Sequence, residues 1–248
     1  KLQLSFIKRL LGKDISKSSI KMGSRAKKTV ELFYDVVSPY TWFAFEVLTR
    51  YKTKWNMDLK LKPFFLGGVM KGSDNKPPAT VPNKARYLDK DVKRCAQYFQ
   101  VPLNLPKNPA EVMFIKGTLT AQRFLTAVDM MNPEKTESVS REFWMRAWNR
   151  DEDITEMESL RQVGLKAGMN EAEVQKCLQK ITDPEVKDRL KKYTDEALRH
   201  GAFGSPTIIA HVNNQPEMVF GSDRFPILAT LLGEKWEGPL TELSKCKL

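Results

Sequence analysis

The sequence predicts an α/β protein in which a long helical block interrupts a small mixed sheet. Three observations carry this. A β-branched and aromatic run, Val30–Val37, passes through Ser38 and Pro39 into an apolar-faced helix, and a second strand pattern follows at Met57–Phe65. From Ala85 to His200 the apolar spacing is almost wholly helical. After that block a strand pattern returns, with a two-asparagine turn and a partner strand.

Taken in order, Glu31 and Asp35 are the only charges in the first run, as a buried or half-buried strand requires. Serine is a favoured helix cap, and proline at the first helical position wastes no donor. The helix from Tyr40 to Trp55 carries Trp42, Phe43, Phe45, Val47, Leu48 and Tyr51. Met57–Phe65 alternates and then turns apolar, so two parallel strands joined by a helix are expected. Gly67–Lys84 is rich in glycine and proline and reads as a long loop holding Asn75, Lys76 and Lys84. Helices are predicted over Ala85–Phe99, Thr118–Met131, Pro133–Asn149, from Thr155 through Lys166, from a capping box at Asn170 and Glu173, and from Asp183–Pro184 to Arg199. Gly204–Val212 and Glu217–Phe220 form a hairpin about Asn213–Asn214, and Gly221–Ser222–Asp223 caps a last helix, Arg224–Leu232. The chain therefore divides into a basic segment 1–28, a sheet domain built from 29–84 and 201–240, an inserted helical domain 85–200 and a tail 241–248.

The net charge of +11 resembles that of a nucleic-acid binder, but residues 1–28 hold nine Lys/Arg against Asp14 alone. That segment carries +8 and the remaining 220 residues only +3, which argues against a phosphate-binding face and a nucleic-acid partner. Leu4, Ile7 and Leu11, with Phe6 and Leu10, make an apolar stripe among Lys, Arg and Ser, as in a mitochondrial transit peptide. A basic tail, or sequence upstream of a start at Met22, is the other reading. No apolar run is long enough to span a bilayer. Cys95, Cys177 and Cys246 lie far apart with no CxxC, which gives neither a zinc knuckle nor a dithiol pair and suits a reducing compartment. His200 and His211 are too few and badly spaced for a metal site, and His200 reads as a helix-end cation.

The stretches VELFYDVVSPYTW, GSDNKPP, FLTAVDMMNPE, WMRAWNRDEDITE, GAFGSPT and VFGSDR, in unbroken order over residues 29–240, together resemble the kappa-class glutathione transferases. The resemblance implies a DsbA-like fold: a thioredoxin-like domain interrupted by an all-α helical domain, in a homodimer. It implies an enzyme that activates the thiol of glutathione for attack on small electrophiles, with peroxide reduction as a side activity. Glutathione is then a co-substrate, and no cofactor is tightly bound. Thioredoxin-like oxidoreductases keep a thiolate at the helix start, where this chain reads Ser38-Pro39-Tyr40-Thr41. Ser38 is therefore the expected catalytic residue, donating a hydrogen bond to the ligand's sulfur beside the positive end of a helix. The same likeness assigns Tyr40, Asn75, Lys84, Ser205, Pro206, Ser222 and Asp223 to glutathione. Lys84 would meet the glycyl carboxylate, the backbone at Ser222 the glutamyl carboxylate and Asp223 the ammonium, while Pro206 would be cis with Ser205 presenting its backbone to the cysteinyl part. Ser205 departs from the family pattern, which has leucine there. Each residue also has a plain reading: Ser38 and Ser222 as caps, Asn75 and Lys84 as solvated loop positions. Met113, Phe114, Trp144 and Trp148 read as core. Two other activities share this scaffold: a glutathione-dependent isomerase of the 2-hydroxychromene-2-carboxylate type, and a non-enzymatic DsbA-like folding or partner-binding protein. The ending Cys246-Lys247-Leu248 resembles a peroxisomal address, so mitochondrion and peroxisome are both expected destinations.

Overall fold

The computed structural model describes residues 26–111, 115 and 117–241. The apolar stripe at Leu4–Leu11, Met113, Phe114 and the Cys246-Lys247-Leu248 ending lie outside the described residues.

Four strands form one sheet in the order β2-β1-β3-β4, with β1 Lys28–Tyr34, β2 Met57–Pro63, β3 Thr207–Val212 and β4 Gln215–Phe220. β1 and β2 run parallel with Val30 opposite Leu59. β3 is antiparallel to both β1 and β4, with Leu32 opposite Ile208 and Ile208 opposite Val219. The βαβ unit and the closing hairpin expected from the sequence are both present. Asn213 and Asn214 hold φ of 52° and 61°, the paired left-handed turn that matches strand twist. Lys28 starts β1 and donates to the carbonyls of Leu231 and Leu232 at 3.3 and 2.8 Å, closing the end of the last helix with a cation.

Nine helices are seen among the described residues: α1 Pro39–Tyr51, α2 Leu66–Gly72, α3 Pro82–Phe99, α4 Leu119–Met131, α5 Thr136–Trp148, α6 Met157–Lys166, α7 Glu171–Lys180, α8 Pro184–Arg199 and α9 Phe225–Leu232. Asn170 and Glu173 make the expected capping box on α7. Several boundaries differ from expectation. β1 stops at Tyr34, not Val37, because the Asp35 side chain takes the Val37 N–H at 3.0 Å and turns the chain. The stretch 67–84 is not one loop. Gly67, Gly68 and Gly72 lie in α2, whose glycines let it pack against α8: a Cβ at Gly72 would stand 2.7 Å from Leu198. Lys84 falls in the first turn of α3.

One apolar core runs from the sheet through α1 into the helical block, joining Val30, Phe43, Phe124, Trp144, Val163 and Phe225. The opposite sheet face is covered by α2 and α8 over Phe33, Phe64, Val69, Tyr193, Ala197, Ala202 and Ile209. At the rim of that face Lys62 pairs with Glu31 at 2.6 Å and Glu196 at 2.9 Å, and His211 meets Glu31 at 3.0 Å. Glu31, Glu196 and His200 bring ligand atoms within 4.8 Å of one another, but the lysine already supplies the cation between the two carboxylates.

Candidate functional site

The helical block grips the turn that precedes α1. Trp144 and Trp148 lie one helical turn apart on α5. Trp144 donates its indole N–H to the Ser38 carbonyl at 3.2 Å, and Trp148 donates to the Val36 carbonyl at 3.2 Å. Both are fully buried, so their reading as core holds, but each polar edge is aimed at the site. Gln122 on α4, also buried, donates to the carbonyls of Tyr34 and Phe64 at 2.9 and 2.6 Å, where β1 and β2 leave the sheet.

Ser38 caps α1 and is 8% exposed. Its Oγ accepts the Thr41 N–H at 3.2 Å and donates to the Ser205 carbonyl at a weak 3.4 Å. Ser38 is therefore a cap, and its O–H lies at the positive end of a helix. The Ser205–Pro206 peptide is cis, and the Ser205 hydroxyl lies 2.7 Å from the Thr41 hydroxyl. The Ser205 hydroxyl therefore adds a tie to the first turn of α1. Asn75 donates to the Phe203 carbonyl at 2.6 Å and so joins the segment after α2 to the approach of the cis proline.

These residues line a cleft of about 490 Å³ walled by Ser38, Tyr40, Phe65, Met70, Asn75, Pro77, Gly204, Ser205 and Phe220. A neighbouring recess of about 370 Å³ shares Tyr40, Pro78 and Leu88 with it and adds Lys84 and Tyr87. The polar head of the cleft is Ser38 with Ser205, and its other walls are largely apolar. Tyr40 donates its phenol to Asp91 at 2.7 Å, and burial followed by that carboxylate pushes its pKa far upward. It faces a ligand as a neutral ring. Ser222 and Asp223 do not begin α9, as expected from the sequence. The helix opens at Phe225 with Arg224 as its cap, since Pro226 fills the second helical position, and Ser222 and Asp223 sit in the turn after β4. Ser222 is buried; Asp223 is exposed beside Arg224, 3.6 Å away. Burial and then Asp91 push the Cys95 thiol up to about 11, so its sulfur is not activated.

Asp35, a strand charge by sequence, forms the floor of the cleft. It is fully buried, and its pKa is pushed up to about 6 from 3.8 by desolvation, against hydrogen bonds from Leu66, Val37 and Thr118. A carboxyl held above its ordinary value gives a contribution that is full below 3.8 and lost as pH rises through about 6. Over that window the loss amounts to about 3 kcal/mol. The stability of Asp35→Asn relative to the parent is therefore expected to be greater near about pH 7 than near about pH 4, by an amount of that order. Urea midpoints at the two pH values check it, and a constant difference refutes it. Asp35, Asp91, Gln122 and the two tryptophans were missed as site residues because their roles depend on partners distant in the chain.

The family model of the DSBA-like thioredoxin domain matches residues 29–233. The chain is 50% identical over 221 residues to glutathione S-transferase kappa 1 of Homo sapiens, covering 89% of this chain and 98% of that one. It is 51% identical over 223 residues to the Rattus norvegicus protein of the same name, with 90% and 99% covered. Among solved structures, a 2-hydroxychromene-2-carboxylate isomerase superposes with a TM-score of 0.67 at 20% identity, covering 83% of this chain and 94% of that chain, a likeness of fold. With half of its residues shared along nearly the full length of those relatives, the chain belongs to the kappa class of glutathione S-transferases, within the DsbA-like thioredoxin family.

Proposed function

We propose that this protein is a glutathione transferase that binds glutathione with its sulfur over Ser38 and delivers it as a thiolate to a small apolar electrophile. The observation that carries this is a hydroxyl, not a thiol, at the capped start of α1, inside a cleft large enough for a tripeptide and a small partner. The Ser38 O–H and the helix dipole both favour the anion, so the ligand's thiol loses its proton more readily than in water. The thiolate then forms the new carbon–sulfur bond as the electrophile's leaving group departs with its electron pair. Support for the rest of the site is Asn75 and Ser205 in the cleft, Lys84 in the recess beside it, and Ser222 and Asp223 in the turn after β4. Lys84 offers a cation for the glycyl carboxylate, Asn75 and Ser205 offer backbone and amide contacts to the middle of the peptide, and Ser222 with Asp223 suits the glutamyl end. The apolar walls at Phe65, Met70 and Phe220 suit the electrophile. Peroxide reduction is a side activity of the same thiolate. A homodimer and a mitochondrial or peroxisomal setting are proposed with it.

The test is calorimetric titration with glutathione, followed by turnover of an activated aryl halide with mass balance on the tripeptide. Saturable binding and one glutathione consumed per conjugate are expected. Full recovery of glutathione with a rearranged substrate would show an isomerase, and no binding at about millimolar ligand would show a partner-binding scaffold.

A further inference from the structure

We infer that Asp35 is a positioning residue of the glutathione site, holding the Ser38 hydroxyl where the bound sulfur meets it. The inference rests on the glutathione reading above. Asp35 reaches three segments with one side chain. Its Oδ1 accepts the Val37 N–H at 3.0 Å, inside the turn that carries Ser38. Its Oδ2 accepts the Leu66 N–H at 3.0 Å, at the first residue of α2, and the Thr118 hydroxyl at 3.0 Å, at the cap of α4. Phe65, which caps α2, gives that helix no side-chain acceptor, so Asp35 supplies one from across the cleft floor. The Asp35 carbonyl also accepts the Ser38 N–H at 3.2 Å. Main chain and side chain of one residue thus fix the turn below Ser38 and tie it to α2, whose far end leads to Asn75.

The tie needs an acceptor on both arms. An ionised carboxylate provides this, whereas an amide of the same shape presents an NH₂ to one of the two backbone N–H groups. A buried carboxylate met only by dipoles is costly, and a purely structural anchor is served by neutral groups at less cost. The residue therefore bears on the exact height of a hydroxyl whose hydrogen bond to sulfur weakens steeply with distance and angle.

The decisive experiment titrates the thiol of bound glutathione by its thiolate absorbance in the parent and in Asp35→Asn, with calorimetric affinity and saturating turnover measured alongside. In the variant the bound thiol's pKa is expected to rise by about one unit and kcat near neutral pH to fall about tenfold. Glutathione affinity is expected to stay within about threefold, because other groups hold the two ends of the tripeptide. Thr118→Val, which removes one donor and keeps the tie, is expected to shift the thiol the same way by less, and it serves if Asp35→Asn does not fold. A folded Asp35→Asn, or in its place a folded Thr118→Val, whose bound thiol titrates as in the parent overturns the inference, whatever its stability. A parent complex whose thiol titrates as free glutathione does is a different failure: it sinks the Ser38 reading itself.

Discussion

Replacing Ser38 with alanine is expected to lower glutathione-dependent turnover by about 10²-fold while the protein stays folded. The variant loses the O–H of the residue that caps α1, and with it a charge-assisted hydrogen bond to the sulfur. It keeps the helix dipole and Pro39, so part of the thiolate stabilisation survives and the loss is not total. The structural cost is that of a cap: the Thr41 N–H loses its acceptor, about 1 kcal/mol. Binding of the tripeptide should weaken far less than turnover, because its charged ends are held elsewhere. Saturating kcat beside calorimetric affinity separates the two effects. An unchanged kcat removes Ser38 from the mechanism.

Trp144→Ala is expected to be the most destabilising single change near the site, about 4 kcal/mol and roughly 10 °C in Tm. The indole is fully buried, with its ring 4.8 Å from Phe45 and 5.7 Å from Tyr34 between centroids. Its removal opens a cavity that rigid neighbours on α1, α5 and β1 cannot close. Trp144→Phe keeps most of that packing and loses the N–H bound to the Ser38 carbonyl, so about 1–2 kcal/mol is expected. It should nevertheless lower kcat, because the Ser38 carbonyl keeps only its 3.4 Å bond from the Trp42 N–H and the peptide that carries the hydroxyl is held less firmly. Thermal melts of both variants with steady-state rates decide this. A phenylalanine variant with parental kcat shows that the indole N–H does not help to place Ser38.

The sequence carried the architecture well because its signals were local. Ser38-Pro39 at a strand-to-helix junction, the Asn170–Glu173 capping box and the Asn213–Asn214 turn each encode their geometry within a few residues. The stretch 67–84 misled because glycine and proline usually break helices. Here the glycines serve close helix packing against Leu198, and Pro82 starts a helix. At the last helix, Ser222-Asp223 looked like the cap, but Pro226 at the second helical position fixes Arg224 in that role.

By itself, then, the amino-acid order determined that a hydroxyl replaces sulfur at the head of α1, that strands enclose a helical block, and to which family the chain is similar. Only the folded molecule decided what holds that hydroxyl in place: Asp35 beneath it, Thr118 and Leu66 beside that carboxylate, and two indoles from a helix about a hundred residues away. The reason is physical. Caps and turns are short-range and leave a pattern in the chain, whereas a buried carboxylate or indole acquires its meaning from partners that only long-range packing brings within hydrogen-bond distance.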